Sequence, residues 1–69
     1  MEKFPERLQK LRERCCMNRQ ALGELCGLSK TIISQYEKGN KMPSVETLEN
    51  LANFFGVTTD YLLGRDEKK

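Results

Sequence analysis

Apolar residues near the start recur at helical spacing: Phe4, Leu8, Leu11 and Cys15 follow one another at intervals of four, three and four, one stripe of a helix. Pro5 suits its first turn, where a missing N–H costs nothing. Asn18 is placed to cap a second helix over residues 19–26, with Met17 and Leu22 as the hydrophobic staple and Gly27 as the stop. Ser29 repeats the arrangement for residues 30–38, stapled by Leu28 and Ile33 and stopped by Gly39. Residues 40–43 read as a loop. Ser44 then opens a fourth helix whose Val45, Leu48, Leu51, Ala52 and Phe55 share a face, ending at Gly56. Thr58 caps a short last helix, stapled by Val57 and Leu62 and closed by Gly64, and residues 65–69 read as a frayed tail. No stretch alternates with period two, so the pattern predicts an all-α fold of five helices around one core.

The second and third segments are separated by Gly27-Leu28-Ser29, and Gly23 lies midway along the first of them. Helices joined by so tight a turn cross steeply and bring their backbones together, and a residue without a Cβ permits that approach. Leu22, Cys26, Leu28, Ile33 and Tyr36 supply the apolar positions that lock the pair. This is a helix-turn-helix pattern. With Ile33 and Tyr36 facing inward, Lys30, Thr31, Ser34 and Gln35 fall on the outer side.

Composition narrows the class. A chain of 69 residues suits a single small domain (1–69, core about 4–64), and 38% hydrophobic with 32% charged residues is a globular balance. Apolar runs reach two or three residues against the roughly 20 of a membrane span, and residues 1–7 lack the apolar stretch of a secretory signal, so a cytoplasmic location is expected. Cys15, Cys16 and Cys26 are odd in number and two are adjacent, which argues against a disulfide framework and lacks the spacing of a zinc site. With no histidine and no glycine-rich phosphate loop, neither an enzyme nor a metal or cofactor site is expected. The net charge is only +2, but residues 1–41 hold nine Lys/Arg against five acids, and the remainder three against five. A basic front and an acidic back suit a chain that turns one face to a polyanion.

The run Arg19-Gln20-Ala21-Leu22-Gly23-Glu24-Leu25-Cys26-Gly27-Leu28-Ser29-Lys30-Thr31-Ile32-Ile33-Ser34-Gln35-Tyr36-Glu37-Lys38-Gly39 resembles the Cro and phage-repressor type of helix-turn-helix regulator. Phe4-Pro5-Glu6-Arg7-Leu8 and Leu11-Arg12 resemble its first helix, and Pro43-Ser44, Glu46-Thr47-Leu48, Leu51-Ala52, Phe55-Gly56-Val57 and Asp60-Tyr61-Leu62-Leu63-Gly64 its last two. The resemblance implies a five-helix, lambda-repressor-like domain that binds double-stranded DNA and regulates transcription, probing the major groove with its third helix. Lys30, Thr31, Ser34 and Gln35 then read base edges, Gln toward adenine and Lys toward guanine. Phosphate contacts fall to Asn18, Arg19 and Gln20 at one helix N-terminus and to Lys38, Asn40 and Lys41 after the reading helix. Arg12 and Glu37 match a structural ion pair. Where the family usually has Gly this chain has Cys16, which implies a different turn or a left-handed residue at a cost of about 1 kcal/mol. Gly23 replaces a more usual Ala, weakening its helix by roughly 1 kcal/mol while keeping the approach close.

A module this small contacts few bases, so a homodimer on a near-palindromic site is expected, with Phe54 and Tyr61 as candidates for the interface. The same two aromatics could instead pack on each other as a satellite cluster. A rival function is an antitoxin-like module that binds a partner protein through Phe54, Tyr61 and the acidic back half.

Overall fold

A computed structural model describes residues 3–65. Five helices follow in order, α1 (Phe4–Arg14), α2 (Arg19–Cys26), α3 (Lys30–Glu37), α4 (Val45–Phe55) and α5 (Thr59–Leu63), with no strand among the described residues. Each start from α2 onward is fixed by the expected cap: Asn18, Ser29, Ser44 and Thr58 accept from the N–H groups of Ala21, Ile32, Thr47 and Tyr61.

The core is Phe4, Leu8 and Leu11 from α1, Leu22 from α2, Ile33 and Tyr36 from α3, Leu48, Leu51 and Ala52 from α4, and Leu62 from α5. The inner staple members Leu22, Ile33 and Leu62 are completely buried, while Met17, Leu28 and Val57 pack partly buried against the same cluster. Phe4 meets Tyr36 edge-on, ring centroids 5.8 Å apart, which seats α3 against the start of α1.

Two stripe residues lie outside this core. Val45 is 72% exposed because it is the first residue of α4, one turn before Leu48, and its Cα–Cβ bond tilts off the helix end. Cys15 is exposed as the cap beyond α1, and the stripe closes instead on Arg12, whose side chain is buried against a partner from α3. Helix α3 also stops one residue early, with Lys38 as its cap.

All five helices end alike. After α2, α3, α4 and α5 a glycine takes a left-handed conformation, and the next N–H bonds back to a carbonyl of the last turn: Leu28 to Gly23, Asn40 to Gln35, Val57 to Ala52, Arg65 to Asp60. The last of these ties down Arg65, where a frayed tail was expected; positions 66–69 lie outside the described residues. After α1 the same bonds form, Met17 N–H to Arg12 O at 3.2 Å and Cys16 N–H to Glu13 O at 2.9 Å, but the left-handed residue is Cys16, with φ of 56°. The turn therefore keeps its shape and the cysteine bears the strain.

Candidate nucleic-acid interface

The close passage of α2 over the turn into α3 depends on Gly23. A Cβ there would lie 2.6 Å from the Leu28 carbonyl oxygen and 3.2 Å from the Ser29 carbonyl carbon, both backbone atoms. That spacing fixes the angle at which α3 leaves the turn, and Ile33 and Tyr36, buried beneath it, fix its rotation. The opposite face is thereby presented outward. Lys30, Thr31, Ser34, Gln35, Lys38 and Asn40 line one open groove of about 360 Å³, which unites all four expected base readers with two of the expected phosphate contacts. Asn40 is held there by its N–H bond to Gln35 O at 2.9 Å.

A second, smaller cleft of about 210 Å³ is lined by Arg12, Asn18, Arg19, Gln20 and Lys30, and Lys30 borders both. Here the N-terminus of α2 is partly spoken for: Asn18 Oδ1 accepts from Ala21 N–H at 2.8 Å, and Gln20 donates to Glu24 at 3.2 Å. Arg19 is anchored by one atom, its Nε donating to Glu37 Oε1 at 3.0 Å, with the side chain 40% exposed and its two terminal nitrogens unpaired among the described residues. Its charge opposes the α2 macrodipole, and Glu37 offsets that cost within the fold. Lys41 is exposed and lines neither cleft.

One ionic network supplies two of the side chains that line this smaller cleft, Arg12 and Arg19. Arg12 grips Glu37 with two nitrogens, Nε at 2.7 Å and a terminal nitrogen at 3.1 Å, while its other terminal nitrogen donates to Met17 O at 2.8 Å. The hydrogen bond to Glu37 holds the Arg12 pKa above its ordinary value against the opposing effect of burial. The structural pairing of Arg12 with Glu37 is as expected. The third member was not foreseen, since Arg19 and Glu37 are separated by 18 positions and no local pattern links them.

The two aromatic candidates are separate. Phe54, 40% exposed, meets Phe55 edge-on at 5.0 Å. Tyr61 is half-buried, its ring under the Arg7 guanidinium at 4.3 Å, and Arg7 also donates to the Tyr61 carbonyl at 2.7 Å. Among the described residues the two rings have different partners, Phe55 for Phe54 and Arg7 for Tyr61. Among the described residues no helix is long and apolar enough to cross a membrane, and no three His, Cys, Asp or Glu side chains gather as a metal-ligand set.

Five helices on one core, with α2 and α3 crossing at a three-residue turn and the outer face of α3 open in a groove, define a helix-turn-helix domain. The helix-turn-helix family pattern matches residues 8–62, and the chain belongs to that family, in its Cro/C1-type branch. It is 39% identical over 64 residues to the HTH-type transcriptional regulator AnsR of Bacillus subtilis, covering 93% of this chain and 55% of that one. It is 33% identical to the cryptic phage CTXphi transcriptional repressor RstR of Vibrio cholerae, covering 93% and 58%. The chain thus spans little more than half the length of these curated relatives. Among solved structures, the P22 c2 repressor in complex with a synthetic operator superposes with a TM-score of 0.85 at 33% identity, covering 91% of this chain and 96% of that one.

Proposed function

We propose that the chain binds double-stranded DNA sequence-specifically and regulates transcription, acting as a repressor in the cytoplasm. The observation that carries this reading is the α3 groove, where four side chains able to read base edges share one concavity with Lys38 and Asn40. Thr31, Gln35, Lys30 and Ser34 read bases; Arg19, Gln20 and Asn18 on one side, and Lys38, Asn40 and Lys41 on the other, contact phosphates. The P22 c2 repressor's complex with an operator supports the reading, because this chain matches its fold and a third of its aligned residues. No catalytic step and no cofactor belongs to this function.

The domain works as a homodimer on a near-palindromic site. The exposed edge of Phe54 is better placed than Tyr61, which already carries Arg7, to form the contact between copies.

Titrating duplex DNA over a range of salt tests the reading. Affinity is expected to fall steeply as salt rises, and Arg19→Ala to weaken all sequences alike while flattening the slope by about one. Affinity independent of salt, or no duplex bound at low salt, overturns it. Sedimentation of the saturated complex is expected to give two proteins per site; one protein with no second step rejects the homodimer.

A further inference from the structure

The turn between α1 and α2 carries chemistry that DNA binding does not use. We propose that Cys15 and Cys16 form a two-thiol site for a trivalent arsenical, and that filling it weakens the hold on DNA; the second part rests on the function proposed above. Both residues are exposed and their thiols free, whereas Cys26 is half-buried and its thiol is pushed up by desolvation. The N–H groups of Cys15, Cys16 and Met17 are all bonded to carbonyls of the last turn of α1, so the backbone here is not an anion nest, and the side chains are what it offers. Those bonds also hold the two Cα atoms in one fixed relation, the first cysteine with φ of −88° and the second with φ of 56°.

Adjacent Cα atoms across a trans peptide are about 3.8 Å apart, below the ~4.4 Å lower bound usual for a disulfide, so a direct S–S bond strains the turn. A bridging soft atom relaxes that closure, because each sulfur then bonds to the bridge and not to the other sulfur. With an arsenoxide the step balances without an oxidant: two As–S bonds form, the As=O bond breaks, and both thiol protons leave with the oxygen as one water. Arsenic stays trivalent.

The site is wired to the clefts. The Met17 carbonyl beside it accepts from Arg12, the same guanidinium grips Glu37, and Glu37 anchors Arg19. Ring closure across residues 15 and 16 alters the strained Cys16 torsion, shifts the Met17 carbonyl, and loosens the chain of contacts that ends at the Arg19 clamp.

Phenylarsine oxide added to the reduced protein, followed by native mass spectrometry under challenge with a monothiol, tests the site. Wild type and Cys26→Ser are expected to hold one adduct of reagent mass less one water, resisting about 10²-fold more monothiol than Cys15→Ser or Cys16→Gly, because the second bond is intramolecular. Cys16→Gly restores the residue that the other four helix ends use, so it keeps the fold. An adduct equally labile in wild type and Cys16→Gly, or one lost in Cys26→Ser, overturns the site. In the second arm, reagent is expected to weaken DNA binding by wild type and leave Cys16→Gly unaffected. A wild-type adduct with unchanged DNA affinity overturns the coupling, and an untreated wild type that binds no duplex overturns the DNA reading while the adduct arm still decides the site.

Discussion

Glu37 has a side chain only 1% exposed and accepts from two arginines, Arg12 at 2.7 and 3.1 Å and Arg19 at 3.0 Å. In Glu37→Ala the Arg12 side chain, 10% exposed, stays charged where water scarcely reaches it, since arginine does not shed its proton in a protein. Removing one partner of a buried pair costs about 3–5 kcal/mol. The lower end applies here, because Arg12 keeps its bond to the Met17 carbonyl. The Arg19 contact is 40% exposed on its side and adds at most a few tenths of a kcal/mol. A 69-residue domain has about 3–10 kcal/mol in all, so the variant is expected to be marginally folded, its melting temperature lower by more than about 10 °C. Thermal and urea unfolding followed by circular dichroism measure this. The double variant Arg12→Met, Glu37→Leu, with both charges replaced by apolar side chains, is expected to regain most of the loss. A Glu37→Ala cost below about 1 kcal/mol, or a double variant as unstable as the single, would refute the reasoning.

Cys16→Gly is expected to stabilise the fold by about 1 kcal/mol, raising the melting temperature by roughly 4–8 °C; an unchanged melt would show that the left-handed cysteine is unstrained. Gly23→Val is expected to destabilise by about 1–3 kcal/mol or more in the same melts, although valine is the better helix former, because its Cβ meets the Leu28 carbonyl. Burial raises the pKa of both Cys26 and Tyr36 above their ordinary values of 9.0 and 10.0, so the unfolded chain loses those protons first. Stability is therefore full below about pH 9 and declines as pH rises through the folded-state values. Tyr36→Phe is expected to make that decline shallower in urea melts taken across the alkaline range.

Local grammar made the helices legible. Asn18, Ser29, Ser44 and Thr58 announce starts because a side-chain oxygen meets a free N–H within three residues, and the glycine stops act over a similar span. The outward face of α3 followed from Ile33 and Tyr36 for the same reason. Misreadings arose where a stripe outran its packing partners: Val45 and Cys15 keep helical register but overhang the ends of the core. Tertiary geometry decided what remained. The joint hold of Glu37 on Arg12 and Arg19 spans 25 and 18 positions, and Arg7 reaches Tyr61 across 54. Resemblance to a family supplied the first of these pairs, and only the folded chain supplied the second.

The central claim is that the outer face of α3 reads bases, and selection of bound duplexes from a random pool, run in parallel on wild type and Gln35→Ala, tests it most directly. Wild type is expected to enrich a near-palindrome with half-sites about 10–11 bp apart. Gln35→Ala, with its fold intact by circular dichroism, is expected to lose about 1–3 kcal/mol on the best site and to relax preference at one position of each half-site. No enrichment by wild type, or identical preference profiles for the two proteins, would contradict the account.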